Sequence, residues 1–517
     1  MKAINKVKEL LENRNLDSIH ISNIPKPQSM KGVEEASEII KNAILENKKI
    51  AIVGDYDVDG VMGVFIMELF FEEIGFSNFV TKIPNRFKDG YGINENIIDE
   101  MQSDIYITVD NGIVAFEAAA KAKKENKILI ITDHHKPLVI NGEEKLPEAI
   151  IINPSQKECN FLQKEICGAL VAWYFCAGIK KALNAKINLS KFTPALSIAT
   201  MADMMPLKGI NRAIFKIGMK EFRKTKIPSF AFLNQKFDIN SQSIGFNIAP
   251  IINSAGRIED ASLALSFFEE KEAKNLHSRF NCLIEINKNR KQIQDEVFEK
   301  AKNNFLNYEN FIISYGENWN EGVLGIVASK LADYTGKTAF CLNNNNGVLK
   351  GSGRSRGGVN LIDSIQKCKD FLIRFGGHSG AVGLNMKIEN ILKFASTLDS
   401  NIVIESRESE EKPIYIEFRE INKELINLIR DYEPYGKGNK EITFESKNIK
   451  IISSKPLDKN NKYKKLQLSQ DGIILEALQF NKKNDLESNS KLECTFNLSY
   501  NAYGISLFLD SIQVINS

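Results

Sequence analysis

The sequence predicts an α/β protein in three parts: a mainly parallel sheet, a smaller α/β domain joined to it by a long helix, and a C-terminal antiparallel β-barrel. From about Gly32 to Asn153, short Ile- and Val-rich runs alternate with helical patterns, as in parallel sheets. Near the C-terminus, the run "KLECTFNLSYN" alternates apolar and polar residues, which is typical of a strand with one buried face.

Each part has its own sequence signal. Five apolar runs predict the strands of the parallel sheet: "KKIAIV", "NFVTKI", "DIYITV", "KILIIT" and "EAIIIN". Glycine and proline are absent between Arg257 and Tyr315, where apolar residues recur at helical spacing, so a long connecting helix is expected. The charged stretch "ESRESEEKP" predicts a linker before the barrel.

These patterns divide the chain into five predicted segments. They are an N-terminal extension (1–31), the first α/β domain (32–255), the connecting helix (256–307), the second α/β domain (308–404) and the barrel domain (405–517).

Composition excludes several classes of protein. The formal net charge of +3 predicts no overall affinity for polyanions, so a nucleic-acid site must be a local patch. One such patch runs from Lys447 to Lys465, with seven lysines and one acid, although lysine-rich hairpins are also simply soluble edges.

The seven cysteines form no C-x-x-C pair, and there is no run of eighteen apolar residues, so a cytoplasmic protein without a membrane span is expected.

The stretch "VGDYDVDGVMG" places Asp55, Asp57 and Asp59 within five residues at a predicted strand-to-helix turn. Three carboxylates this close repel one another unless they are protonated, solvated or neutralised by a cation. An EF-hand calcium loop is excluded because its twelfth position, which requires glutamate, is Ile66. A solvated acidic turn remains the alternative to a metal site.

Two further strand ends carry similar groups. "DIYITV" is followed directly by Asp110, and "KILIIT" is followed directly by Asp133, His134 and His135. Carboxyl ends of parallel strands meet at one sheet edge, so a metal site is expected there. Taken alone, the paired histidines could also be buried structural groups or a chance surface pair. Asp and His ligands favour ions such as Mn²⁺, and two ions roughly 3.5–4 Å apart would activate water and stabilise charge on a phosphate.

The series "DYDVDG", "TVDNG", "TDHH" and "ATMADMMPL" resembles the four motifs of the DHH phosphoesterase superfamily. Later motifs are similar to those of its single-strand-specific 5′→3′ DNA exonucleases: "NIAPIINSAGRIEDA", "GVLGIVASKLAD", "GSGRS", "GGHSGAVG" and "PYGKGNKEITF". The resemblance extends from about Gly32 to the end. It implies a DHH catalytic domain, a DHH-associated substrate-binding domain and an OB-fold nucleic-acid-binding domain.

The resemblance also implies roles for particular residues. The implied ligands of two Mn²⁺ or Mg²⁺ ions are Asp55, Asp57, Asp59, Asp110, His134 and Asp203, with Asp110 as the bridge. His135 would contact the phosphate or orient a ligand, and Asp133 would orient the histidines.

On the substrate side, "GSGRSRGG" has the composition of an anion site, although a flexible turn is the alternative. The resemblance assigns Ser352 and Arg354 to the terminal 5′-phosphate, Arg257 and Arg86 to nearby phosphates, and His378 to the substrate. Two positions depart from the family pattern: Asn320 replaces the usual histidine and Lys440 a common proline.

The implied activity is two-metal hydrolysis of single-stranded DNA to mononucleotides from its 5′ end, in recombination and repair. The implied partners are a helicase and a single-strand-binding protein, and the implied state is a monomer. Tyr463, Tyr500 and Tyr503 are candidates for stacking on bases.

Two other functions remain open. Smaller DHH phosphodiesterases act on short oligoribonucleotides or cyclic dinucleotides, but their chains usually end before a segment like the one after Pro413. A non-catalytic single-strand binder in a replication assembly typically loses metal ligands, whereas every acidic position is retained here.

Overall fold

The computed structural model describes residues 2–14, 16, 19, 23–405, 411–457, 463–480, 490–501 and 504–515. Tyr503 and residues 458–462 of the predicted lysine patch lie outside the described residues. The chain divides into two compact units, of which one comprises Met1–Ser22, Pro206–Ala213 and Ser409–Ser517, and the other Asn23–Met205 and Ile214–Glu408.

The first elements alternate between helices and strands. In chain order they are α1 (Ala3–Asn13), α2 (Val33–Leu45), β1 (Ile50–Val53), α3 (Val58–Glu73), β2 (Phe79–Lys82), α4 (Glu95–Met101), β3 (Ile105–Val109), α5 (Phe116–Lys124), β4 (Ile128–Thr132), β5 (Leu138–Ile140), β6 (Glu143–Lys145) and β7 (Ile150–Ile152).

Five of these strands form the predicted parallel sheet, in the order β2-β1-β3-β4-β7. Every residue of β1 and β3 is buried, as expected for central strands covered on both faces. Both central strands therefore end at the same sheet edge.

A helical region follows the sheet. Its elements are α6 (Gly168–Ala182), α7 (Thr193–Ala202), α8 (Gly209–Phe222), α9 (Pro228–Lys236), α10 (Ser241–Ser243), a π-helical turn (Ile244–Ile248), α11 (Ala249–Ile258), α12 (Ser262–Glu269) and α13 (Ala273–Asn303). The almost entirely apolar α3 is buried against α6 and α7. A Cβ on Gly63 would lie 2.4 Å from Val109 Cγ1, so only glycine permits the close packing of α3 on β3.

The connecting helix α13 has 31 residues, which corresponds to about 46 Å at 1.5 Å per residue. It packs against α11 and against the second α/β domain. The predicted segment 256–307 starts earlier than this helix and contains two breaks. At the first break, Asp260 Oδ1 accepts a hydrogen bond from Ser262 N, which stabilises a turn between α11 and α12 where the sequence has neither glycine nor proline.

The second α/β domain is built on a mixed six-stranded sheet. Its elements are β8 (Leu306–Asn307), β9 (Phe311–Glu317), α14 (Leu324–Thr335), β10 (Thr338–Asn345), β11 (Val348–Arg354), α15 (Leu361–Gln366), β12 (Arg374–His378), β13 (Ala381–Lys387) and α16 (Ile391–Ser400). The strand order is β12-β13-β11-β10-β9-β8, and among these pairs only β9 and β10 are parallel.

The C-terminal domain confirms the predicted barrel. Its elements are β14 (Ile414–Tyr415), α17 (Lys423–Asp431), β15 (Phe444–Pro456), β16 (Tyr463–Gln470), β17 (Ile473–Phe480), β18 (Lys491–Asn501) and β19 (Gly504–Ile515). The order β15-β16-β17-β19-β18, closed by β15–β18 pairing, is that of an OB-fold. One strand pair of the barrel departs from the predicted antiparallel pattern, because β17 and β19 pair in parallel.

The N-terminal helix α1 belongs to the same unit as the barrel. Val7 and Leu11 are almost completely buried in the hydrophobic core of that unit. Arg14 donates to both Glu411 carboxylate oxygens, from Nε at 3.0 Å and from Nη2 at 2.5 Å. Residues 2–14 are thus part of a folded domain, whereas the sequence predicted only an extension. Within the described residues, no helix is both long and apolar enough to cross a membrane.

Replacing Leu11 with Ala should destabilise this unit by about 2–5 kcal/mol, because it leaves a cavity in the shared core. Hydrogen exchange in β15 and β16 should accelerate accordingly. Lys8→Ala, at an exposed position of the same helix, is the matched control. Unchanged protection in the Leu11 variant would show that α1 does not support the barrel.

Candidate metal centre

Three carboxylates lie at the ends of adjacent strands. Asp55 follows β1, Asp110 follows β3 and Asp133 follows β4, and each is at most 4% exposed. Asp110 has a positive φ of 63°, which Asp and Asn tolerate better than most residues. Its N–H donates to Thr132 O at 2.9 Å, which fixes this turn against β4.

The other two aspartates of the first motif are held by helix termini. Asp57 is the N-cap of α3, where its Oδ1 accepts from Asp59 N at 2.9 Å and Gly60 N at 3.2 Å. Asp59 accepts from the first two N–H groups of α6, Gly168 N at 2.6 Å and Ala169 N at 2.8 Å. These bonds orient two negative charges toward the sheet edge.

Asp133 positions both histidines. Its Oδ1 accepts from His134 N at 2.7 Å and His135 N at 3.1 Å, and it lies 2.8 Å from His135 Nδ1. The His134 ring lies beside the His135 ring, with their centroids 4.4 Å apart, and its Nε2 is 3.1 Å from Asp110 Oδ1. The same nitrogen is 3.6 Å from Asp203 Oδ2, at the C-terminal end of α7.

Three overlapping triads of potential metal ligands result. Within each triad the ligand atoms lie within 4.8 Å of one another; the triads are Asp110, His134 and His135, then Asp59, His134 and Asp203, then Asp55, Asp57 and Asp110. Asp110 and His134 each belong to two triads. The structure therefore brings together all six residues predicted as metal ligands, and adds His135 as a further possible donor.

The buried carboxylates repel one another. Burial, followed by the charge of Asp57, raises the pKa of Asp55 well above its usual range and that of Asp59 to about 7. Burial and the neighbouring aspartates likewise raise the pKa of Asp110. Burial also opposes ionisation of Asp133, but hydrogen bonding and charge from the histidines prevail and lower its pKa to about 2.

These properties fit divalent cations. Asp110 Oδ1 is buried and accepts no hydrogen bond from the described residues, as expected of an oxygen that binds a cation. Burial, with the charge of His135, lowers the pKa of His134 to about 4, so its ring is neutral and can donate a lone pair. Several carboxylates with one or two imidazoles suit Mn²⁺ or Mg²⁺.

The predicted phosphate-binding arginines lie between the two α/β domains. Arg86 Nε donates to Gly256 O at 3.0 Å, and its guanidinium stacks 4.0 Å from the Tyr56 ring centroid. The neighbouring Arg257 donates from Nη1 to Gly322 O at 3.0 Å. Burial and the charge of Arg86 lower the pKa of Arg257 to about 10, which marks a concentration of positive charge.

Ser352 and Arg354 lie on β11 beside the start of α14. A Cβ on Gly325 would lie 2.6 Å from Arg354 Nη2 and 3.5 Å from Ser352 Oγ, so both side chains lie at the first turn of this helix. A hydroxyl, a guanidinium and a helix N-terminus together suit a phosphate group.

Two predicted positions lie apart from these clusters. His378 ends β12 and is not a member of the three triads; its Nδ1 accepts from Gly380 N at 3.1 Å. Asn320, which replaces the family histidine, accepts from Gly322 N at 2.9 Å and so supports the turn that Arg257 binds. Its amide thus has a local structural role.

Sequence reasoning missed several supporting residues. Asn253 Oδ1 accepts from Val58 N at 3.1 Å, which joins α11 to the aspartate motif. Asn153 Nδ2 donates to His135 O, and Ser155 Oγ donates to His134 O, so the segment after β7 holds the histidine turn. The only signal for Asn153 and Ser155 was their position after a predicted strand, the same rule that identified the aspartates.

The fold and the site define the class of protein: an α/β protein of the DHH type. Three family models match the chain: "DHH family, N-terminal domain" over residues 49–201, "DHHA1 domain" over 309–404, and "RecJ OB domain" over 414–506. The chain thus carries the domains of DHH phosphoesterases together with a RecJ OB domain, and it is similar to RecJ proteins over most of its length.

Among curated relatives, the single-stranded-DNA-specific exonuclease RecJ of Bacillus subtilis is 31% identical over 477 residues. That match covers 88% of this chain but only 59% of the relative. RecJ of Haemophilus influenzae is 27% identical over 492 residues, which cover 88% of this chain and 84% of the relative.

Solved structures show the same fold. RecJ from Thermus thermophilus in complex with Mn²⁺ superposes with a TM-score of 0.74 at 22% identity, covering 94% of this chain and 72% of that chain. A structure of exonuclease RecJ bound to manganese gives a TM-score of 0.61 at 25% identity, covering 72% and 94%. The predicted fold class is confirmed in all three parts.

Replacing Asp110 with Asn should show separately how charge repulsion and metal binding affect the stability of the protein. Asn matches Asp in shape and tolerates the positive φ, while it removes one of several repelling charges. The metal-free variant should melt at or above the temperature of the metal-free parent. Saturating Mn²⁺ should stabilise the parent, by about 2.7 kcal/mol at a hundred times its Kd, and the variant far less.

Calorimetry with and without Mn²⁺ measures both effects. Asp99→Asn, at an exposed acid on α4 that pairs with Lys121, is the control. A Mn²⁺-induced shift of parental size in the Asp110 variant would exclude Asp110 as a ligand.

Proposed function

We propose that this protein is a metal-dependent 5′→3′ exonuclease that hydrolyses single-stranded DNA to mononucleotides, in recombination and repair. The observation that carries the proposal is the set of three overlapping ligand triads at one sheet edge, together with Arg257, which contacts the second α/β domain, and with Ser352 and Arg354 on that domain. The named function of the RecJ relatives supports the substrate.

The six aspartate and histidine ligands would hold two divalent ions, Mn²⁺ or Mg²⁺, with Asp110 shared between them. Bound there, the ions would act as Lewis acids that promote ionisation of water and offset charge on the scissile phosphate. Asp133 keeps His135 in the form that donates from Nδ1, which leaves Nε2 to contact that phosphate.

The arginine cluster would place the strand for this reaction. Ser352 and Arg354 would bind the terminal 5′-phosphate, Arg257 and Arg86 the adjacent phosphates, and His378 the substrate near β12. Cleavage of the bond between phosphorus and the 3′ oxygen releases one nucleotide and leaves a new 5′-phosphate on the strand. The same binding groups can therefore serve every cycle.

The domain roles follow from this assignment. Residues 32–255 would carry the metals, 256–307 would connect the two α/β domains, 308–404 would bind the 5′ end, and 405–517 would bind the strand further along, with 1–31 as an N-terminal extension. In the barrel, Tyr463 is 37% exposed and packs edge-on against Phe480, so it is a candidate for base stacking. Tyr500 is less suited, because Arg430 lies 4.2 Å from its ring centroid.

We also propose that a helicase and a single-strand-binding protein supply the substrate, and that the protein acts as a cytoplasmic monomer. These assignments rest on the family resemblance.

The activity is tested with three substrates in Mn²⁺: a 3′-labelled 5′-phosphorylated single strand, the blunt duplex of the same sequence, and a diribonucleotide. A descending ladder from the single strand, absent with EDTA, is expected. Cleavage of the diribonucleotide alone would indicate a small-substrate phosphodiesterase. Tight strand binding without cleavage would indicate a non-catalytic binder.

Arg354→Ala should reduce the preference for a 5′-phosphate over a 5′-hydroxyl by roughly 10- to 100-fold, since a hydrogen bond to a charged group is worth about 1.5–3 kcal/mol. Competition between the two strand types measures this preference. Arg356→Ala is the matched control, because Arg356 lies two residues away and pairs with Asp333 at the surface. An equal loss in both variants would contradict the assignment.

A further inference from the structure

Phe246 is the most exposed large hydrophobic side chain in the described part of the molecule, at 81% exposure. It lies in the middle of the π-helical turn, between Ile244 and Ile248, which are both fully buried. Buried residues of the same turn thus anchor the backbone before and after Phe246. π-Helical turns are rare and occur frequently at functional sites.

The π-helical turn packs against α7, the helix that leads to the ligand Asp203. An ideal Cβ on Gly245 would be 3.7 Å from Met201 Cε on α7. Met204, directly after that ligand, is itself 67% exposed. An exposed aromatic ring and an exposed thioether thus belong to two elements that pack together next to a metal ligand.

The turn continues without a break into α11, which connects the metal centre to the arginine cluster. Phe246, Pro250, Asn253 and Arg257 follow at intervals of four, three and four residues, which places them on one helical face. Phe246 is exposed and the other three are partly exposed, whereas Ile248, Ala249, Ile252 and residues 254–256 are buried. We call this face the α11 rail.

The α11 rail carries, in order, an arginine that suits a phosphate, an amide bonded to the aspartate motif, and an aromatic ring that suits a base. Arg257 lies at one end with Arg86, and Asn253 lies in the middle, bonded to the aspartate motif through Val58. Phe246 lies about 16 Å from Arg257 at 1.5 Å per residue, a length that accommodates more than one nucleotide. In the proposed placement, the terminal 5′-phosphate lies at Ser352 and Arg354 and the adjacent phosphates at Arg257 and Arg86, and a strand that continues along the α11 rail reaches Phe246 next.

We propose that Phe246, with Met204, is a nucleobase-stacking site for a nucleotide on the 3′ side of the scissile bond. The proposal rests on the proposed exonuclease function and adds a binding site to it. Every base presents a π-face, so such a site is independent of sequence. In a duplex the base faces are covered by their neighbours, so this site favours an unpaired strand.

Two measurements test the stacking site. The first is binding in EDTA, where no cleavage is expected, of fluorescent 5′-phosphorylated strands that are intact or carry one abasic position among nucleotides 1–5. The second is the single-turnover cleavage rate of the same strands in Mn²⁺ at subsaturating enzyme. The proteins are the parent, Phe246→Ala, Phe246→Trp and Tyr334→Ala, the last a control at an exposed aromatic of α14.

Phe246→Ala should weaken binding of the intact strand about tenfold, a typical loss for one base–aromatic stack. One abasic position should weaken binding to the parent by a similar factor and leave the Phe246→Ala variant unaffected. Phe246→Trp should retain parental affinity, and Tyr334→Ala should behave as the parent does.

Equal losses for intact and all abasic strands, or no loss at all, would overturn the proposal. The binding measurement decides the matter even if no strand is cleaved in Mn²⁺, which would refute the exonuclease function alone.

Discussion

Repulsion among buried carboxylates is the constraint on which the rest of this structure depends. Asp55, Asp59 and Asp110 are almost completely buried at one sheet edge, and each is easier to protonate than a free aspartate because burial and like charge disfavour ionisation. A protein gains no stability from such an arrangement unless cations offset it. The scaffold therefore acts to hold the negative charges together until ions bind.

The surrounding elements supply that restraint with backbone groups and one dedicated carboxylate. The start of α6 holds Asp59, the start of α3 holds Asp57, and Asp133 holds both histidines. In the second α/β domain, the glycine-rich strand β11 and the start of α14 place Ser352 and Arg354 together. Positive and negative clusters thus face the same space, as a phosphodiester bound through metals and arginines requires.

The parts of the site that could be predicted from sequence are those fixed by strand ends. Asp55, Asp110 and His134 follow apolar runs, and parallel strands end at one edge, so their meeting needed no tertiary information. Asp203 directly follows α7 and Asn253 lies within α11, and only helix packing brings them to the centre; the family motif identified the former and nothing identified the latter. The break before α12 was missed because neither glycine nor proline marks it; the turn there contains a hydrogen bond from Ser262 N to Asp260 Oδ1.

The most direct test of the two-ion centre is a crystal structure of the Mn²⁺-soaked protein with anomalous diffraction data at the manganese edge. We expect two anomalous peaks, both within coordination distance of Asp110, with the remaining ligands drawn from Asp55, Asp57, Asp59, His134, His135 and Asp203. A single peak, or peaks remote from this sheet edge, would rule out a two-ion centre at these residues.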